Sequence, residues 1–162
     1  MRSCAAASVA IAAPTTPLAA SERARIRALV ALYRLTGPIG PLANAVADAL
    51  LAPEILRVWT RRPVTSRVPR SFRRTGVGMH RCTSSMMLRR PDITDLLVHV
   101  TAPALLLADS EDRMWDPAAA SLSAQELSDG TSAPIDGAGH LPPLERPEQV
   151  VRQVLGLWAR RP

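Results

Sequence analysis

Two side chains, in two successive predicted loops, have the residue types for acid–base chemistry. His140 lies in the stretch DGAGHLPPLERPE, and Asp112 closes the stretch DSED, which follows an apolar run. A carboxylate that accepts a hydrogen bond from one imidazole nitrogen fixes the tautomer, so the other nitrogen can take a proton from a hydroxyl group. The pair therefore predicts a base, His140, that is oriented by an acid, Asp112.

The segments around these residues predict strands and helices in alternation. Apolar runs predict strands at residues 7–12, at ALLLAD after Pro103, and at Ser132 to Ile135, while helices start at Pro117 and Pro147. Asp112 and His140 each follow a strand, and loops at the carboxyl ends of parallel strands share one edge of a sheet. The order predicts an α/β fold with about three parallel strands, flanking helices and a helical insertion.

The insertion between the first two strands is predicted to be helical. Ser21 is expected to cap its first helix, and Asp92 is expected to cap a short helix through Leu97 at its far end. The remaining predicted helices run from Pro41 to Leu50, from Pro53 to Trp59 and from Cys82 to Leu88.

These segments resemble the α/β-hydrolase family. LLVHVTAPALLLADSED resembles the segment that delivers the family's catalytic acid, matching Asp112, and IDGAGHLPPLERPEQVVRQVLGLW resembles the closing segment that carries the catalytic histidine, matching His140. SVAIAAP resembles, more loosely, the strand that follows the nucleophile helix. The resemblance implies a partial α/β-hydrolase fold with a core strand and linker (1–18), a helical cap region (19–91) and a carboxyl-terminal core (92–162).

The sequence departs from the family pattern at two points. Asp109 occupies the position that is usually Gly in the turn of the acid, which leaves Asp109 and Asp116 open as alternatives to Asp112. In addition, the chain contains no G-x-S-x-G and no other Gly-flanked Ser or Cys of the nucleophile-elbow type. Ser84 and Ser85 could serve as nucleophiles only if the cap folded unusually.

The resemblance implies hydrolysis of esters or amides by Ser-His-Asp chemistry, in a chain that is incomplete or inactive without a nucleophile. A small-molecule substrate is expected only if an amino-terminal half completes the fold, and no cofactor or metal is expected. The alternative hypothesis is a non-catalytic interaction protein that uses an unpaired sheet edge, which could also allow self-association.

Charge and cysteine content limit the other function classes. All 20 basic residues are arginine, and nine of them lie between Arg61 and Arg90 without an acidic residue among them. This stretch raises the hypothesis of RNA or anion binding, but no nucleic-acid motif or stacking aromatic accompanies it, so no nucleic-acid partner is expected. Cys4 and Cys82 form neither a C-x-x-C motif nor a metal-spaced set, which favours a reducing cytoplasm.

The remaining candidate residues receive structural assignments. Glu145 and Glu148 are expected to brace the histidine loop and the first turn of the last helix. His80, Cys82 and His99 are expected to be structural or exposed. No run approaches the ~20 apolar residues of a membrane span, and the amino terminus is a poor signal peptide because its apolar stretch is mostly alanine.

Overall fold

A computed structural model describes residues 7–37, 39–58 and 78–159 of the chain. Its sheet has three strands, β1 (Ser8–Ile11), β2 (Ala104–Asp109) and β3 (Gly130–Ile135), in the spatial order β1-β2-β3. Both pairings are parallel, with Ser8 opposite Ala104 and Ala104 opposite Gly130. The prediction of a partial α/β fold built on three parallel strands is confirmed.

The central strand β2 is buried along its whole length, as its uninterrupted apolar sequence predicts. Successive side chains of a strand point to opposite faces. Leu106 and Ala108 pack in one core cluster with Trp115, whereas Leu105 and Leu107 pack in a second cluster with Ile135. The sheet is therefore covered on both faces.

Helices α5 (Pro117–Gln125), α6 (Pro142–Glu145) and α7 (Pro147–Ala159) flank the sheet. Helix α5 starts after Asp116, whose Oδ1 accepts a hydrogen bond from Ala119 N at 2.7 Å, and it supplies Ala120 and Ala124 to the Leu106 cluster. Helix α7 supplies Val150 and Leu157 to the Leu105 cluster on the other face. The two longer helices thus lie on opposite sides of the sheet.

The described residues between β1 and β2 are mainly helical, in keeping with the predicted helical insertion. It contains α1 (Ala20–Thr36), α2 (Gly40–Leu50), α3 (Pro53–Val58), α4 (Gly78–Met86) and a 3₁₀ helix (Thr94–His99). Tyr33 of α1 and Leu42 of α2 form a small core, against which Leu29 and Val46 pack. The first two helices therefore join along their apolar faces.

Three local predictions need correction. Helix α1 begins at Ala20 rather than at Ser21, and no side chain caps its first turn. Asp92 accepts a hydrogen bond from Thr94 N at 2.9 Å in a local turn, but the following segment is 3₁₀ rather than α-helical. The predicted short helix at Cys82 begins four residues earlier, at Gly78.

The apolar residues of the last helix, which its sequence predicts to form one stripe, are divided between the core and the surface. Val150 and Leu157 are buried and Val154 packs beside them, whereas Val151, Leu155 and Trp158 are 54%, 58% and 65% exposed. Helix α7 thus has an apolar face against the sheet and a second apolar face toward solvent.

Two further sequence predictions fall partly or wholly outside the described residues. Six of the nine arginines between Arg61 and Arg90 lie before residue 78, outside the described residues, and so does Trp59, the last residue of the predicted third helix. No described helix is long and apolar enough to cross a membrane.

We predict that Leu107→Ala lowers the free energy of unfolding by about 2–5 kcal/mol, because it opens a cavity that the strand backbone cannot collapse into. Leu107 is fully buried, whereas the control residue Leu96 is 60% exposed. Leu96→Ala should therefore change stability by less than about 0.5 kcal/mol. Urea unfolding followed by circular dichroism compares the two variants, and equal losses would contradict the assignment of β2 as the centre of the core.

Candidate active site

The acid loop begins where β2 ends. Asp112 N donates to Asp109 O at 3.3 Å, which closes a tight turn directly after the strand. The Oδ1 of Asp112 accepts from Met114 N at 2.7 Å, and its carboxylate is fully buried. One oxygen of Asp112 is thus held by the loop, while Oδ2 is available to a second partner.

The histidine loop follows β3 and contains two glycines with distinct roles. Gly137 has a φ of +70°, a conformation that side chains disfavour. Gly139 packs against the junction of α2 and α3, where a Cβ would lie only 2.7 Å from Ala52 N and 2.9 Å from Leu50 O. Any side chain at residue 139 would therefore displace the loop. His140 N donates to the same Leu50 O at 2.8 Å.

The two loops bring Asp112 and His140 into direct contact. His140 Nδ1 lies 2.9 Å from Asp112 Oδ2, with the imidazole 20% exposed and the carboxylate fully buried. If Nδ1 carries the proton and donates it to the carboxylate, Nε2 is the unprotonated nitrogen. No described residue forms a hydrogen bond with Nε2, so this nitrogen is open to an incoming hydroxyl group. The arrangement is that of a base and its orienting acid.

Glu145 holds the histidine loop in place through backbone hydrogen bonds. Its Oε1 accepts from Gly139 N at 3.0 Å and from Leu141 N at 3.1 Å, and its Oε2 accepts from Ala52 N at 2.8 Å. The side chain is buried, and three amide donors share its charge. The amides on both sides of His140 are therefore fixed by one carboxylate, in keeping with the bracing role expected for Glu145.

Asp109 joins the acid loop to the histidine loop. Its Oδ1 accepts from Glu111 N and from Ala138 N, both at 3.0 Å, while its buried Oδ2 has no hydrogen-bond partner in the described part of the chain. Desolvation, assisted by the nearby charges of Glu145 and Asp112, raises the pKa of Asp109 to about 7 despite the two amide donors. A protonated Asp109 would keep a third negative charge out of this cluster.

The other predicted candidates lie apart from His140. Asp116 caps α5, and Asp109 binds the amide of Ala138. Of the three acids, only Asp112 forms a hydrogen bond with the imidazole. Ser84 and Ser85 lie on α4, and neither forms a hydrogen bond with His140. Three further residues are exposed, as expected or in keeping with a structural role: Cys82, His99 and Glu148. The side chain of His80 lies outside the described residues.

The sequence matches the model of the alpha/beta hydrolase family over residues 1–153. The chain belongs to this family. No match was found among curated protein sequences.

Solved structures of other alpha/beta hydrolases share this fold. A thermophilic esterase from Thermogutta terrifontis aligns with a TM-score of 0.78 at 24% identity, covering 95% of this chain and 55% of the esterase. The enol-lactonase from Burkholderia xenovorans LB400 aligns with a TM-score of 0.73 at 14% identity, covering 95% of this chain and 56% of the lactonase. The chain thus spans just over half the length of these alpha/beta hydrolases.

Sequence reasoning missed the contacts that tie the histidine loop to the helical insertion. The acceptor at Leu50 O and the donor at Ala52 N lie far from His140 along the chain, and Arg146 reaches Glu54 Oε2 at 3.0 Å in the same region. The Gly that precedes His140 was the one available signal, since a Gly at a fixed loop position indicates close approach of another backbone.

We predict that the pH dependence of stability carries the signature of Asp109. Its pKa of about 7 in the folded state exceeds the ~3.9 of an unfolded Asp, so the folded state binds this proton more tightly. The stabilisation is complete below pH ~4 and is lost as the pH rises to about 7, at no more than about 1.4 kcal/mol per pH unit. Asp109→Asn, which cannot ionise, should flatten this slope.

Urea unfolding at several pH values between 4 and 8 measures that slope. Asp129→Asn is the matched control, because Asp129 is exposed and should leave the slope unchanged. A native protein and an Asp109→Asn variant with parallel pH profiles would show that Asp109 is ionised throughout.

We predict that Glu145→Ala lowers the free energy of unfolding by about 3 kcal/mol or more, because three amide donors lose their acceptor. Glu148→Ala removes an exposed carboxylate three residues away and should cost less than about 1 kcal/mol. Amide hydrogen exchange at Gly139 and Leu141 should accelerate in the first variant only. Unchanged exchange at both amides would contradict the bracing role.

Proposed function

We propose that this chain supplies the acid and base of a serine hydrolase, with His140 as the base and Asp112 as the acid that orients it. The observation that carries the proposal is the 2.9 Å contact between His140 Nδ1 and Asp112 Oδ2 in loops that follow adjacent parallel strands. On this proposal a polypeptide segment outside the present sequence supplies the nucleophilic serine, since no elbow motif occurs in the 162 residues.

The chemistry then follows from the open Nε2 of His140. This nitrogen takes the proton of the serine hydroxyl as its oxygen attacks the carbonyl carbon of an ester or lactone, and the imidazolium returns the proton to the leaving oxygen. Water repeats the cycle to release the acid. The carboxylate of Asp112 stabilises the transient positive charge, for which its burial beside the imidazole is suited.

Two surfaces support completion by a further segment. Ser8 N donates to Pro103 O and Ala12 N donates to Leu107 O on the inner side of β1, so the backbone groups of Val9 and Ile11 point to the outer edge of the sheet. On the face of the sheet that α7 covers, Val151, Leu155 and Trp158 of that helix form an exposed apolar stripe. A strand beside β1 and a helix beside α7 would cover both.

A second candidate function rests on the same two surfaces. A non-catalytic interaction protein would use the β1 edge and the α7 stripe to bind a partner or a second copy of itself. The preformed contact of Asp112 with His140 favours the hydrolase, because an interaction surface has no need of a buried carboxylate aimed at an imidazole. On the cysteine content we propose a cytoplasmic location for either function.

We predict that mixing this chain with the polypeptide encoded in frame directly upstream restores hydrolysis of a p-nitrophenyl ester. His140→Ala should then lower kcat by about a thousandfold or more, and Asp112→Asn by about a hundredfold or more. His99→Ala is the control, because His99 is exposed and lies outside the site. A serine-reactive fluorophosphonate should label the upstream polypeptide and leave this chain unlabelled.

Two outcomes would contradict the proposal. Labelling of Ser84 or Ser85 in the isolated chain would place the nucleophile in this chain, and restored activity that survives His140→Ala would exclude His140 as the base.

The exposed apolar stripe of α7 is tested by Trp158→Glu, which should weaken complementation. The control is Leu122→Glu, because Leu122 is equally exposed at 64% but lies on α5 across the sheet.

A further inference from the structure

A cavity of about 260 Å³ lies between the first two helices of the insertion. Its walls are aliphatic: Ile26, Leu29 and Val30 from α1, and Val46, Ala49 and Leu50 from α2. These six side chains favour an apolar ligand, because apolar surface gains free energy on leaving water. The polar residues of the lining are Glu22, Arg25, Tyr33 and Arg113.

The cavity adjoins the proposed catalytic pair through two shared residues. Leu50 lines the cavity and accepts the hydrogen bond from His140 N through its carbonyl oxygen. Met114 lines it too, and its amide donates to Asp112 Oδ1. A molecule in the cavity would thus contact the loop that carries Asp112 and the residue of α2 that binds the backbone of His140.

Charge at the cavity is positive on balance. Glu22 and Arg25 both line it, and they pair with each other at 3.6 Å. Arg113, which directly follows Asp112, also lines the cavity and has no ion-pair partner among the described residues. One cation therefore remains to meet an anionic or electron-rich group on a ligand.

The size of the cavity limits the length of that ligand. A methylene group occupies about as much liquid volume as a water molecule, roughly 30 Å³, so the cavity has room for about eight or nine carbon atoms. We propose that the cavity binds an unbranched aliphatic acyl chain of about six to ten carbons, with the acyl oxygens toward Arg113. This inference rests on the proposed function and assigns the substrate class as medium-chain acyl esters, whose product is a carboxylate.

Binding of the carboxylate product to the isolated chain tests the inference without requiring a nucleophile. Calorimetric titration with butanoate, hexanoate and octanoate should show affinity rising about fourfold for each methylene, with the rise ending by tetradecanoate. Affinity that is independent of chain length would overturn the assignment.

Matched variants locate the ligand. Ala49→Trp fills the cavity and should abolish octanoate binding, whereas Ala31→Trp places the same bulk on the exposed side of α1 and should leave it unchanged. Val46→Phe gives a second, smaller blockage should Ala49→Trp fail to fold, as judged by circular dichroism. Native affinity in either folded cavity variant would overturn the inference.

The charge of Arg113 is tested separately. Arg113→Gln should weaken octanoate binding about fivefold or more and leave octanol binding unchanged, while Arg27→Gln, on an exposed position of α1, should affect neither. Equal losses for octanoate and octanol would overturn the role of Arg113.

The failures of the two proposals are distinguishable. Octanoate binding without activity in the complemented protein would leave the cavity assignment standing and refute the hydrolase. Restored hydrolysis with no preference between acetyl and octanoyl esters would support the hydrolase and refute the cavity assignment.

Discussion

The position of the histidine depends on a short piece of backbone in the helical insertion. Leu50 O accepts from His140 N, Ala52 N donates to Glu145, and Gly139 lies against both. These contacts join a loop of the sheet to the junction of α2 and α3, so the insertion and the sheet cannot move independently at this point. The wall of the cavity and the direction of the imidazole are consequently set by the same few atoms.

Burial of three carboxylates in one small volume imposes a second constraint. Asp109, Asp112 and Glu145 are all buried. Like charges that lie close together repel strongly in a medium of low dielectric. Amide donors offset the charge of Glu145, and Asp112 has both an amide and the imidazole. Asp109 has two amide donors on one oxygen and none on the other, and desolvation together with the charges of Glu145 and Asp112 outweighs those donors and raises its pKa to about 7. Protonation of Asp109 would remove one like charge from this small volume.

The sequence predicted what depends on local pattern and on chain order. The apolar run of β2 and the loops after β2 and β3 were sufficient to place Asp112 beside His140, because parallel strands bring their carboxyl ends to one edge. It could not predict that Glu145 would bind Ala52, 93 positions away, nor which face of α7 would stay exposed. Those features depend on the tertiary arrangement of distant segments, and the sequence of α7 predicts one apolar stripe without showing which of its residues the sheet covers.

The contact between Asp112 and His140 forms without a nucleophile because every group that fixes it lies within this chain. Turn closure by Asp109 O and the Met114 amide orient the acid, while Leu50 O and Glu145 orient the base. None of these contacts involves a serine or the outer edge of β1. On the proposed function, a segment that docks against that edge would meet an acid–base pair that is already oriented, and its binding energy would be needed only to position the hydroxyl.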